Sequence, residues 1–202
     1  MWTEWAIEIQ SIAQAGLAYG HDAFDLERYR RLRDIAAEMI AHKADISFEK
    51  AKELFCGETG YQTPKVDTRS AVFKDGKILL VRENDGRWAL PGGWCDVNVS
   101  VGENAVKETL EEAGVTAIAE RLIAVQDRNR HNEPPSAYGI VKIFVLCAAM
   151  GGEFAPNIET VQSGYFGGDE LPGELAETKT TREQILMCFD AEEDKGWIVR
   201  FE

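Results

Sequence analysis

Residues 91–115 read Pro91-Gly-Gly-Trp-Cys-Asp-Val-Asn-Val-Ser100-Val-Gly-Glu-Asn-Ala-Val-Lys-Glu108-Thr-Leu-Glu111-Glu112-Ala-Gly114-Val115. Ser100 and Glu103 have the S-x-x-E spacing of a capping box, in which each side chain takes the other residue's backbone amide. That spacing starts a helix at Val101, and Gly114 is placed to end it in a left-handed conformation after Ala113. On this helix Val106, Leu110 and Ala113 fall on one stripe, which is expected to face a core. Glu108, Glu111 and Glu112 stand at i, i+3 and i+4 on a different arc, roughly 100° wide. Like charges at that spacing repel by about a few tenths of a kcal/mol per pair. Taken alone, E-x-x-E-E is most simply a solvated acidic face. A divalent cation is the alternative, because Mg²⁺ and Mn²⁺ take hard oxygen ligands. The preceding Pro91-Gly92-Gly93 favours the cation, since two glycines let the backbone approach another group closely.

The stretch resembles the Nudix box, G-x5-E-x7-R-E-U-x-E-E-x-G-U with U aliphatic. Aligned on Gly93 and Gly114 without insertion, Glu108, Glu111 and Glu112 match its three metal-associated glutamates, and Val115 its last aliphatic position. Trp88, Pro91 and Trp94 agree with what commonly surrounds the start of the box. Three positions depart from it: Val99 replaces a glutamate, Lys107 an arginine and Thr109 an aliphatic residue. Lysine keeps the charge but loses the planar fork, and the threonine hydroxyl needs a partner.

The resemblance implies an α+β protein, a Nudix α/β/α sandwich with a mixed sheet preceded by a small helical element. It implies a hydrolase with an Mg²⁺ or Mn²⁺ cofactor held by Glu108, Glu111, Glu112 and the Gly93 carbonyl, one carboxylate acting as the general base. It extends to Tyr19–Tyr29 and Ile35–Met39, which look like the helical extension of a subfamily cleaving nucleoside diphosphates linked to a moiety X. Residues 127–131, 142–147 and 157–160 are similar as well. The implied reaction is hydrolysis of a pyrophosphate bond. ADP-ribose, giving AMP and ribose 5-phosphate, is the leading substrate, and CDP-choline is the alternative. An RNA 5′-end enzyme and a non-catalytic nucleotide sensor are more remote readings. The family also implies a homodimer.

Outward from the box, apolar residues in 5–17, 25–42 and 47–55 recur at helical spacing, with Asp25 a candidate N-cap and Tyr19–Asp22 a turn. A linker is expected over 57–67, and the domains are set at 1–66 and 67–202. Ser70–Phe73, the Lys74-Asp75-Gly76 turn and Ile78–Val81 have the turn chemistry of a hairpin. Short strands are expected at 88–91 and 164–166, apolar runs stand at 121–126 and 140–149, a last helix is expected at 183–189, and 197–201 reads as a final strand or a frayed end.

Several residues outside the box are weaker site candidates. Glu159 is a candidate further ligand or base, and Arg128 and Lys142 are candidate phosphate or nucleotide contacts. His131 lies in an expected loop beside Pro134-Pro135, where function concentrates. Tyr19, Phe24 and Tyr29 are candidates for base stacking, although at least two of the three are expected in the core.

The chain has 202 residues, 45% of them hydrophobic, and a formal net charge of −13, which argues against broad capture of nucleic acid or anionic membrane. Its four cysteines are scattered with no CxxC pair, so they read as reduced thiols of a soluble, cytoplasmic protein.

Overall fold

In the computed structural model, which describes residues 2–136 and 139–202, the chain divides into two compact units. The first runs to Pro64 and includes the short segment 135–139. It holds helices α1 (Trp2–Tyr19), α2 (Ala23–Ala44) and α3 (Phe48–Phe55). The cap of α2 is Asp22 rather than Asp25: its carboxylate accepts from the amides of Phe24 and Asp25, both at 3.0 Å. Asp25 therefore sits in the first turn, where its charge still favours the helix end. Buried Gln10 and Gln14 bond to each other and to the carbonyls of Phe55 and Gly60. Tyr19 and Phe24 are exposed, contrary to the expectation that two of the three aromatics would be buried; Tyr29 packs its ring against Gly16.

The second unit is built from β1 (Lys65–Lys74), β2 (Lys77–Glu83), β3 (Trp88–Ala89), α4 (Val101–Ala113), β4 (Val115–Asp127), α5 (Arg128–His131), β5 (Ile140–Gly152), β6 (Thr160–Phe166), α6 (Arg182–Glu193) and β7 (Arg200–Phe201). β1 begins at Lys65, inside the stretch expected to be linker. The sheet is mixed, in the order β3-β2-β1-β5-β4-β7, with β6 also on β2. β1 runs parallel to β5 and places Asp67 beside Lys142; β4 is antiparallel to β5. At the β1–β2 turn, Asp75 and Gly76 both have positive φ, as a tight hairpin turn demands.

Alternation along the strands divides the core into two layers. Ile78, Leu80, Phe144 and Leu146 face α6, where Ile185, Cys188 and Ala191 pack. Leu79, Val81, Val145 and Cys147 face α4, meeting Ala105 and Ala113. The result is the expected three-layer sandwich. The buried side of α4 was misjudged from sequence, however. Leu110 is 51% exposed, and the buried residues are Asn104, Ala105, Thr109, Glu112 and Ala113. Small side chains bring this helix close to the sheet, and the Thr109 hydroxyl satisfies itself on the Ala105 carbonyl at 2.8 Å. Glu112 is thereby turned toward the protein. No helix among the described residues is long and apolar enough to cross a membrane.

Candidate active site

Both ends of α4 are fixed by local chemistry. The capping box forms with both of its bonds, and Gly114 caps the helix in the left-handed region at φ 67°. The loop before it is held against β1. Thr68 donates to the Gly93 carbonyl at 2.9 Å, Ser70 to Pro91 at 2.8 Å, and Cys95 to Val66 at 2.9 Å. A Cβ on Gly92 would lie 2.0 Å from the Thr68 carbonyl oxygen, which is the close approach the two glycines imply. Fully buried Asn104 completes the joint. Its amide donates to the Thr68 hydroxyl at 2.8 Å and the Trp94 carbonyl at 3.3 Å, and its oxygen accepts from Asp96 N at 3.3 Å.

Against this frame the three box glutamates differ. Glu112 is 8% exposed and accepts the Gly92 amide at 2.9 Å. Burial pushes its carboxyl up to about 7, with Glu108 adding to the effect and Arg69 and Lys179 opposing it. Glu108 lies over Gly93, half-buried, and is also raised by burial against the pull of Lys107. Glu111 is the exposed member. Lys107 bridges Glu108 at 3.2 Å, Glu111 at 3.3 Å and Asp96 at 3.2 Å, so it serves as a point charge where a guanidinium fork is usual.

Glu112 opens onto a cavity of about 470 Å³ lined also by Glu83, Asn84, Asp85, Ile158, Glu159 and Lys179. Glu159 is carried there by a tie between its loop and the end of α4. Asn157 donates to the Glu111 carbonyl at 2.9 Å, and Thr160 donates to the Glu112 carbonyl at 2.6 Å. The Asn157 oxygen in turn accepts the amides of Glu159 and Thr160, both at 2.9 Å. Across the cavity Lys179 pairs with Glu83 at 2.7 Å.

A family model described as the NUDIX domain matches residues 64–188, the span that contains this helix, loop and cavity. The chain is a Nudix hydrolase. Its Nudix domain is preceded by a match over residues 1–55 to a family described as a UDP-X-like, N-terminal oligomerisation domain. The chain is 44% identical over 190 residues to YjhB of Bacillus subtilis (strain 168), a protein named, provisionally, as an ADP-ribose pyrophosphatase; the match covers 94% of this chain and 91% of that one. An ADP-ribose pyrophosphatase crystal structure from Streptococcus suis 89-1591 is 50% identical over 69% of this chain and all of its own, with TM-score 0.65. A crystal structure of UDP-X diphosphatase is 34% identical, covers 100% of this Nudix chain and 98% of its own, and has TM-score 0.64.

The remaining candidates fall in different places. Glu159 shares the cavity with Glu112, whereas Glu111 is not among its lining residues. The Gly93 carbonyl accepts from Thr68, which leaves its second lone pair. Tyr19 is exposed on the first unit. His131 lies in α5, not in a loop, and its Nε2 is 2.9 Å from Glu202. Arg128 and Lys142 are not among the residues lining this cavity; both are buried and donate to backbone carbonyls. Burial lowers Lys142 to about 7, with Arg69 contributing and Asp67 opposing. Glu83, Asp85, Lys179 and Asn104 were not anticipated. The acidic Glu83-Asn-Asp-Gly86 turn is the one local signal that could have pointed to this wall of the cavity.

The donor set suits a hard divalent cation: desolvated, mutually repelling carboxylates with oxygen ligands only. Among the described residues no three histidine, cysteine or carboxylate side chains already enclose an ion site. Lys107 and the Gly92 amide hold the carboxylates in the conformation seen here.

Proposed function

We propose that the chain hydrolyses the pyrophosphate bond of a nucleoside diphosphate linked to a second moiety, using Mg²⁺ or Mn²⁺, with ADP-ribose as the leading substrate. The observation that carries this reading is the cavity in which desolvated Glu112 and loop-borne Glu159 face Lys179. Glu108, Glu111 and Glu112, with the Gly93 carbonyl, would hold the cation. Bound there, a divalent ion supplies neutralisation of phosphate charge and activation of water. Glu159, anchored through Asn157, takes a proton from the attacking water as its oxygen bonds to phosphorus and the bridging P–O bond breaks. For ADP-ribose the products are AMP and ribose 5-phosphate.

A second reading, a UDP-linked substrate, has its own support in the UDP-X-like match over residues 1–55 and the full-length likeness to UDP-X diphosphatase. CDP-choline has no comparable support. A panel of ADP-ribose, UDP-linked sugars and CDP-choline, assayed with phosphatase-coupled phosphate release, separates them. ADP-ribose turning over fastest supports the first reading, a UDP derivative turning over fastest replaces it with the second, and no turnover of any member overturns both.

The same reading makes the protein a homodimer. Its support is the exposed row of Trp5, Ile12 and Tyr19, seven residues apart on α1, with Trp2 beside Trp5. Light scattering showing a monomer at micromolar concentration would count against it.

A further inference from the structure

The segment from Glu174 to Thr180 has no regular secondary structure, yet it is pinned along its whole length. On one side Trp88 donates to the Glu174 carbonyl at 2.9 Å and accepts from Ala176 N at 2.8 Å. Beyond it, three successive carbonyls each receive a different buried side chain. Asn132 Nδ2 donates to Glu177 O at 2.7 Å, Arg128 Nη2 to Thr178 O at 3.3 Å, and Lys142 Nζ to Lys179 O. The donors are 1%, 6% and 1% exposed.

Holding a loop in this way is costly, because a guanidinium or a lysine amine taken out of water loses its hydration and a backbone carbonyl restores only part of it. Asp67 is the carboxylate near Lys142, at 3.7 Å, and it already accepts two bonds from Arg69. A neutral donor such as Asn132 would hold a merely structural loop more cheaply. What the arrangement fixes is the residue at its end. Lys179 is the one basic side chain among the residues lining the cavity, where it faces Glu83, Asp85, Glu112 and Glu159.

We propose that Lys179 contacts a phosphate of the substrate, and that Arg128, Asn132 and Lys142 are positioning residues that fix it there through three consecutive backbone carbonyls. This rests on the diphosphate reading above. A substrate with two charged phosphates entering this cavity meets four carboxylates, and a cation in the α4 carboxylates serves only one side. Lys179 supplies charge on the other. Its ammonium has three donors, so it keeps Glu83 as a splint while donating to a phosphate oxygen. Arg128 and Lys142 thus serve phosphate recognition from one shell behind the place their charge suggested.

The test is steady-state kinetics on ADP-ribose at saturating Mg²⁺, with thermal melts, for wild type, Lys179→Met, Lys179→Arg, Lys142→Met and the double methionine variant. Loss of one charge-assisted bond to phosphate predicts that Lys179→Met raises KM about tenfold, with the melt unchanged and the arginine variant restoring most of the affinity. Lys142→Met is expected to raise KM about threefold in wild type but not in the Lys179→Met background, where there is no ammonium left to position. If Lys142→Met does not fold, Asn132→Ala replaces it in the same cycle. A wild-type KM in Lys179→Met overturns the phosphate contact. Equal effects of Lys142→Met in both backgrounds overturn the positioning role. A wild type that cleaves no nucleoside diphosphate derivative overturns the diphosphate reading itself, and the inference with it.

Discussion

The α4 wall of the cavity and the Glu174–Thr180 wall are built in opposite ways. On α4 the helix ends are set by local chemistry. The Ser100–Glu103 box and Gly114 set the helix ends, and the Gly92 amide turns Glu112 inward from 20 residues away in sequence. The opposite wall has no helix or strand of its own; it is a turn closed by the Lys179 and Thr180 amides on the Ala176 carbonyl and tied to the rest of the unit by Trp88, Arg128, Asn132 and Lys142. One wall concentrates negative charge; the other presents a single exposed lysine, held from behind by two buried basic side chains. The proposed diphosphate site uses both, and only the first can be written as a sequence motif.

The largest effect is expected from the first wall. Glu112→Gln should lower kcat by about 10³-fold or more. The amide oxygen can still accept from Gly92, and a neutral group replaces a desolvated carboxylate, so the metal-free variant should melt no lower than wild type. Near-normal turnover at saturating Mg²⁺ would remove Glu112 from the site. Asn104→Ala tests whether the loop must be held as well as the helix. It leaves the Trp94 carbonyl and the Asp96 amide without that partner and should cost about 1–3 kcal/mol in urea unfolding, with a smaller loss of kcat.

The second wall has a pH signature. Lys142 titrates near 7 when folded and near 10.5 when unfolded, so between those values the unfolded chain binds more protons and stability rises with pH. Measured as the urea midpoint of wild type minus that of Lys142→Met, the difference should grow in favour of wild type from pH 7 toward 10.5. A flat difference would mean that the ammonium is not buried as described. The smallest effect belongs to Leu110→Ser, which should change stability by less than about 0.5 kcal/mol because this leucine is exposed. A core-sized loss would restore the stripe read from sequence.

That stripe shows where sequence reading stops. The limits of α4 and the hairpin turn were legible because caps and positive-φ turns act within a few residues; at Gly92 the missing Cβ announced a close approach but not its partner, Thr68. Val106, Leu110 and Ala113 satisfy a helical period equally well, but which stripe is buried depends on how near the sheet lies. Here the sheet lies close, so the face of Ala105, Thr109 and Ala113 is buried. Asp25 and Asp22 are both good caps, and only backbone geometry chooses between them. Lys179 carries no local pattern. Arg128 and Lys142 were singled out for their charge, and nothing in sequence says whether a cation ends on substrate or on the backbone carbonyl of a distant loop. Glu159 was found through its resemblance, while the tie that places it, Asn157 on Glu111, is tertiary.

The most direct measurement is ADP-ribose turnover by EDTA-treated protein before and after Mg²⁺ is added back, with Glu112→Gln run alongside. The account predicts no AMP without the metal, full recovery of wild type on its return, and no recovery of the variant. Turnover in EDTA, or recovery by Glu112→Gln, would contradict the assignment of the α4 carboxylates as the metal-holding centre of the reaction.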